Sequence, residues 1–211
     1  LRPSLRLAWD GMVRPGWVAG TFLRTLLRHG MPHFENSFAT RGAPIMSSTV
    51  LRDFSARDHL PWRNIDAIRR RWKGPLVVKG LLSVEDALEA RRVGADGIVL
   101  SNHGGRQLDG AESSINALPA IVDAVGSQIE VHMDGGIRSG QDVLKAVALG
   151  AKGTYIGRSM LYGLGAMGEA GVSKALQIIH NELDLTMAFC GHTQIGNVDK
   201  RILLPGTFPT A

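Results

Sequence analysis

From residue 75 onward the chain alternates short apolar runs with amphipathic stretches, the pattern of strands followed by helices. Leu76-Val77-Val78-Lys79-Gly80 reads as a buried strand. Ser83, with Asp86 three residues on, reads as the cap of a helix ending near Val93-Gly94. Gly97 to Ser101 predicts a second strand, a loop runs to Asp109-Gly110, and a helix follows from about Ser114 to Val125. Ile129 to Asp134 predicts a third strand, and Ser139 and Asp142 cap the helix that carries Val143, Val147 and Leu149. Gly153 to Gly157 predicts a fourth strand, and helical spacing returns from about Gly168 to Ala188. Residues 93–100 (VGADGIVL) echo residues 149–156 (LGAKGTYI), so the unit is repeated. Four tandem βα units imply a parallel sheet, either doubly wound or part of a (β/α)8 barrel, and strand pattern alone does not separate the two.

The first third of the chain is patterned differently. After Pro15, Gly16 to His29 predicts a helix with an apolar stripe of Phe22, Leu23, Leu26 and Leu27, stopped by Gly30. Residues 31–60 read as loop, and Asn64 to Trp72 resumes helical spacing before Gly74-Pro75. Charge sharpens the contrast: residues 1–73 hold 13 basic and 5 acidic side chains, and the rest hold 11 and 14, which points the first third toward an anionic partner. Trp9, Trp17 and the apolar stripe interleaved with Arg2, Arg6, Arg14, Arg24 and Arg28 suit a membrane surface, while the competing reading packs the stripe on the body of the protein. No nucleic-acid module signature appears, so no nucleic-acid partner is expected. No apolar stretch reaches the length of a spanning helix.

With 211 residues, 44% of them hydrophobic and 20% charged, the chain has enough apolar material for a core. A lone cysteine, Cys190, forms no internal disulfide, and no His/Cys spacing suggests a metal site. Because the sequence opens at Leu1 rather than a methionine, it is expected to be a processed product or part of a longer polypeptide.

The chemistry lies in the loops after the predicted strands. The second strand leads into Ser101-Asn102-His103-Gly104-Gly105-Arg106-Gln107. A histidine can take a substrate proton and an arginine fork can hold a carboxylate, a pairing suited to a hydroxy acid, against the plain alternative of a polar turn. The third strand leads into Asp134-Gly135-Gly136-Ile137-Arg138 and the fourth into Gly157-Arg158-Ser159. Backbone N–H groups bared by glycines, together with two arginines, make a phosphate cradle, where the alternative is an ordinary turn with solvated arginines. Lys79 closes the first strand on the same rim, or else extends to water.

These motifs, in this order, resemble the FMN-dependent α-hydroxy acid dehydrogenases and oxidases, a family that includes L-lactate dehydrogenase, mandelate dehydrogenase and glycolate oxidase. The likeness is close over about residues 62–190 and looser over 1–61. It implies an α/β fold, the C-terminal half of a (β/α)8 TIM barrel, preceded by a basic, partly helical loop segment. Its domain division is an insertion over residues 1–61 and the barrel units over 62–211.

The resemblance further implies FMN as cofactor and oxidation of an (S)-2-hydroxy acid to the 2-oxo acid. His103 would be the base and Arg106 the carboxylate anchor. Lys79 would face the N1 and O2 edge of the flavin, and Ser101, Asp134, Gly135, Gly136, Arg138, Gly157 and Arg158 would hold the cofactor. It also implies a quinone or other electron acceptor, a homo-oligomer, and a cytoplasmic location with peripheral contact to the inner face of the cell membrane through residues 1–34. The family's first four strands have no counterpart here, so a C-terminal fragment with poor stability alone is expected. The competing functions are another FMN-phosphate barrel such as an isomerase, and an inactive half-barrel that binds phosphate or membrane.

Overall fold

A computed structural model describes residues 4–34, 41–47 and 60–210, and the chain divides into two compact units, Leu1–His59 and Leu60–Ala211. In the first unit, helix α1 (Leu5–Met12) starts at Ser4, whose hydroxyl accepts the Leu7 N–H at 3.2 Å. Helix α2 (Pro15–Trp17) runs through a π-helical stretch, Val18–Leu23, into α3 (Arg24–His29), which ends at Gly30. The helix expected over 16–29 is therefore present, with a wider central turn that the spacing did not signal. The Trp17 and Phe22 rings stack across that turn, 6.0 Å apart.

None of these helices buries a residue. Leu5, Trp9 and Met12 stand at i, i+4 and i+7, so they form one stripe along α1, and Leu5 is 93% exposed. His33 bridges Pro44 in antiparallel fashion, and the rest of the loop expected over 31–60 lies mostly outside the described residues. Among the described residues, no helix is long and apolar enough to cross a membrane.

The second unit begins with α4 (Trp62–Arg71) and then alternates strand and helix: β1 (Val77–Leu81), α5 (Val84–Arg92), β2 (Gly97–Leu100), α6 (Ser114–Val125), β3 (Glu130–Asp134), α7 (Gly140–Ala148), β4 (Gly153–Tyr155), α8 (Arg158–Met167) and α9 (Glu169–Phe189). Ser83 and Ser139 cap α5 and α7, the latter in a reciprocal box with Asp142. The sheet order is β1-β2-β3-β4 and every pair is parallel. Doubly wound sheets reverse strand order at a switch point. This order never reverses, so the sheet is an arc of a (β/α)8 barrel.

Ile98, Leu100, Val131 and Met133 project from the sheet onto Leu118, Ile121 and Val125 of α6, all at or near zero exposure. A second cluster joins Leu144 and Ala148 of α7 to Met187 of α9 and to Val198. β3 alternates, with Val131 and Met133 buried while Glu130, His132 and Asp134 take the other face. On that face the His132 ring lies 5.8 Å from Tyr155 and Nε2 meets a Glu130 carboxylate oxygen at 3.0 Å.

Arg69 of α4 ties the start of the sheet. It donates to the carbonyls of Trp72, Gly74 and Gly94 and to Asp96 at 2.9 Å. Asp96 in turn accepts the Leu76 N–H at 2.7 Å, which, with the Arg69 guanidinium, holds its carboxyl below the usual carboxylate range.

Candidate active site

The C-terminal ends of the four strands converge on one cavity of about 200 Å³. Its wall includes Lys79, His103, Arg106, Asp134, Gly135, Gly136, Arg138, Gly157 and Arg158. Nine of the ten residues singled out in the sequence thus share one space. Ser101, only 4% exposed, stands behind it.

Each side chain is aimed by local structure. The register of β1 on β2 slips between Lys79 and Leu81, and Gly80 between them has φ +101°, so a bulge turns the end of the strand. The Lys79 ammonium meets Asp134 in an ion pair and donates to the Ser101 hydroxyl at 2.6 Å. That hydroxyl donates to Asp134 at 2.5 Å and accepts the His103 N–H at 3.0 Å. One buried oxygen therefore links the ends of three successive strands.

His103 has φ +56°, the only described residue other than glycine in the left-handed region. Such a backbone costs roughly 1–2 kcal/mol, and the bond to Ser101 helps hold it. The short turn His103–Gly105 is closed by Asn102, whose side chain accepts the Gly104 N–H at 3.0 Å and donates to the Glu112 carbonyl at 3.3 Å. The Arg106 guanidinium lies 3.4 Å from His103 Nε2. Guanidinium only donates, so this contact is a hydrogen bond in the tautomer that leaves Nε2 bare.

Another part of the wall has the elements of an anion site. Gly135 and Gly136 have φ of +87° and +83°, and the first packs so closely on Asn102 and Ser114 that a Cβ would stand 3.3–3.4 Å from their oxygens. At Gly136 and Gly157 a Cβ would meet nothing within 4 Å, which leaves room beside both backbones. Gly157 also precedes α8 without offering a side-chain cap; the Met160 and Leu161 N–H groups turn back to the Gly157 carbonyl at 3.1 Å, which leaves those of Arg158 and Ser159 for a ligand, flanked by Arg138 and Arg158. Room, bare N–H groups and two guanidinium groups fit a phosphate. Gly104, Ile137, Tyr155, Ile156, Ser159 and Leu161 complete the wall. The first two and Ser159 belong to the loops picked out in the sequence, whereas Tyr155, Ile156 and Leu161 were not, because their place depends on how β4 leads into α8.

The family model described as FMN-dependent dehydrogenase matches residues 1–205. The chain is 42% identical to an L-lactate dehydrogenase of Caulobacter sp. over 95% of its own length and 52% of that protein's. It is 45% identical to one from Pectobacterium atrosepticum, over 96% of this chain and 55% of that one. The chain thus spans about half the length of the curated relatives it matches. Among solved structures, a mandelate oxidase variant holding a monooxide FMN adduct matches with TM-score 0.63 and 47% identity, over 65% of this chain and 44% of that one. A flavocytochrome b2 double mutant with pyruvate bound matches with TM-score 0.66 and 39% identity, over 68% and 38%.

Proposed function

Because the chain belongs to the FMN-dependent dehydrogenase family, we propose that its second unit supplies the base, the carboxylate anchor and the phosphate cradle of an FMN-dependent L-2-hydroxy acid dehydrogenase. The observation that carries this reading is the sharing of one cavity by a base-and-arginine pair and a glycine-arginine anion wall.

Arg106 holds the substrate carboxylate through two parallel N–H bonds, which fixes the hydroxyl-bearing carbon beside the imidazole. His103 Nε2 accepts a proton as the hydroxy acid becomes the 2-oxo acid, a change that releases two electrons and two protons. FMN, when bound, would take the two electrons and the second proton. Arg138, Arg158, the Gly135-Gly136 backbone and the start of α8 would hold its phosphate, and Ser101 and Asp134 fix the Lys79 ammonium at the cavity wall. The reduced-flavin isomerase alternative has no need of a carboxylate anchor three residues from the base. The test is 2-oxo acid formation from L-lactate, L-mandelate or glycolate by the FMN-loaded chain with a soluble quinone. Product from one of them supports the reading; FMN binding with no product from any leaves the half-barrel as a binding unit only.

The first unit supports a second part of the proposal, contact with an anionic membrane surface from which a quinone takes the electrons. An exposed stripe of Leu5, Trp9 and Met12, with Trp17 and Leu27 also exposed among arginines, is the composition of an interfacial segment. Replacing Trp9 and Trp17 by serine should lower partitioning onto vesicles containing phosphatidylglycerol. Unchanged partitioning removes this part.

A further inference from the structure

Arg158 does more than line the anion wall. Its guanidinium donates to the Gly104 carbonyl at 3.0 Å, across 54 residues of sequence. Gly104 is the residue between the proposed base and Gly105, and its own N–H is held by Asn102. We propose that Arg158 is a positioning residue that couples occupancy of the phosphate cradle to the conformation of the His103 loop. This rests on the reading of the cradle as a phosphate site.

The bond to Gly104 uses one of five guanidinium N–H groups, so the fork can take an anion and the carbonyl together. Without the anion the tether is weak. Arg158 is exposed, and a long side chain gives up its rotamer freedom to hold a single bond in water. An anion that has already fixed the guanidinium removes that cost, and the bond to Gly104 then forms on an ordered partner. Positive coupling follows without any change of fold.

What the tether holds is a backbone that needs holding. His103 sits at φ +56°, Gly104 at φ +68° and Gly105 at φ +73°, a run of three left-handed residues, of which only the glycines adopt that conformation without a Cβ penalty. A Cβ on Gly104 would stand 3.0 Å from the same Arg158 nitrogen, so the contact depends on glycine there as well as on arginine opposite. Coupling is reciprocal: if phosphate orders the loop, an ordered loop tightens phosphate.

Hydrogen exchange of the full 211-residue chain tests this, read at the amides of Gly104 and Gly105, which are bonded to the side-chain and backbone oxygens of Asn102. FMN and inorganic phosphate should each slow exchange there by about 5-fold or more, the low end of typical site coupling. Riboflavin, which has no phosphate, should do less than FMN. Arg158→Lys keeps the charge but not the fork, so its FMN affinity should fall, and at FMN concentrations that saturate the variant by fluorescence quenching most of the added protection should still be missing. Gly104→Ala should weaken FMN binding although residue 104 carries no group for the phosphate. Bound FMN without added protection, full protection in Arg158→Lys, or protection by riboflavin equal to FMN's would each overturn the coupling. Failure to bind either FMN or phosphate would instead overturn the cradle reading, and the coupling with it.

Discussion

His103 and Arg106 divide the proposed chemistry, and their substitution should separate cleanly. His103→Gln should slow flavin reduction by about 10²–10⁴-fold with little change in substrate affinity, because it removes the proton acceptor and keeps the volume. Arg106→Met should instead weaken substrate binding, with a loss on the order of 100-fold in kcat/KM. Rapid-mixing absorbance against substrate concentration distinguishes the two. A third residue-scale prediction concerns acid. Asp96 is held below the usual range by the Leu76 N–H and the Arg69 guanidinium, and Asp199 is held down to about 2 by Arg201, through its guanidinium and backbone N–H. Groups with lowered folded pKa stabilise the fold above their unfolded value and lose that contribution as pH falls through the folded one. Thermal midpoints should therefore drop as pH is lowered from about 4 toward 2. Asp96→Asn should lower the midpoint at pH 7 and flatten its fall in acid.

Among the elements, α8 shows where pattern reading runs out. Gly163 and Gly165 break its periodicity, so helical spacing is legible in the sequence only from about Gly168. In the structure Gly163 and Gly171 face each other where α8 crosses α9, and a Cβ on Gly171 would stand 1.9 Å from the Gly163 carbonyl oxygen. A glycine that lowers local helix propensity is here the condition for tertiary packing. Gly171→Ala should cost about 1–3 kcal/mol, as overpacking does. Gly165→Ala, in the same helix with nothing within 4 Å of its Cβ, should stabilise by about 0.5–1 kcal/mol. Opposite signs in thermal melts check the assignment.

The strands and the caps at Ser83 and Ser139 were legible because alternation and capping are local. So were the site residues, which follow strand ends in short contiguous loops. The Ser101 hydroxyl linking Lys79 to Asp134, the Asn102 brace and the Arg158 to Gly104 tether were not, because each depends on partners brought together by the sheet.

At the scale of the molecule, the unreversed order β1-β2-β3-β4 separates the two architectures that the sequence left open. The face bearing His132 and Tyr155 is the one a complete barrel turns inward, and here Tyr155 is 48% exposed. Ligand binding at the cavity rim should therefore be visible in global stability. At a hundredfold excess of FMN over its Kd the gain is about 2.7 kcal/mol, a rise in Tm of roughly 5–10 °C for a domain of this size, with riboflavin giving less.

The most direct test of the central claim is the anaerobic visible spectrum of the FMN-loaded chain on addition of L-lactate, followed by L-mandelate and glycolate. Bleaching of the flavin band by an L-2-hydroxy acid, slowed about 10²–10⁴-fold in His103→Gln, is the predicted result. Flavin that stays bound and oxidised with all three acids would contradict the assignment of His103 and Arg106 to oxidation of a hydroxy acid by this chain.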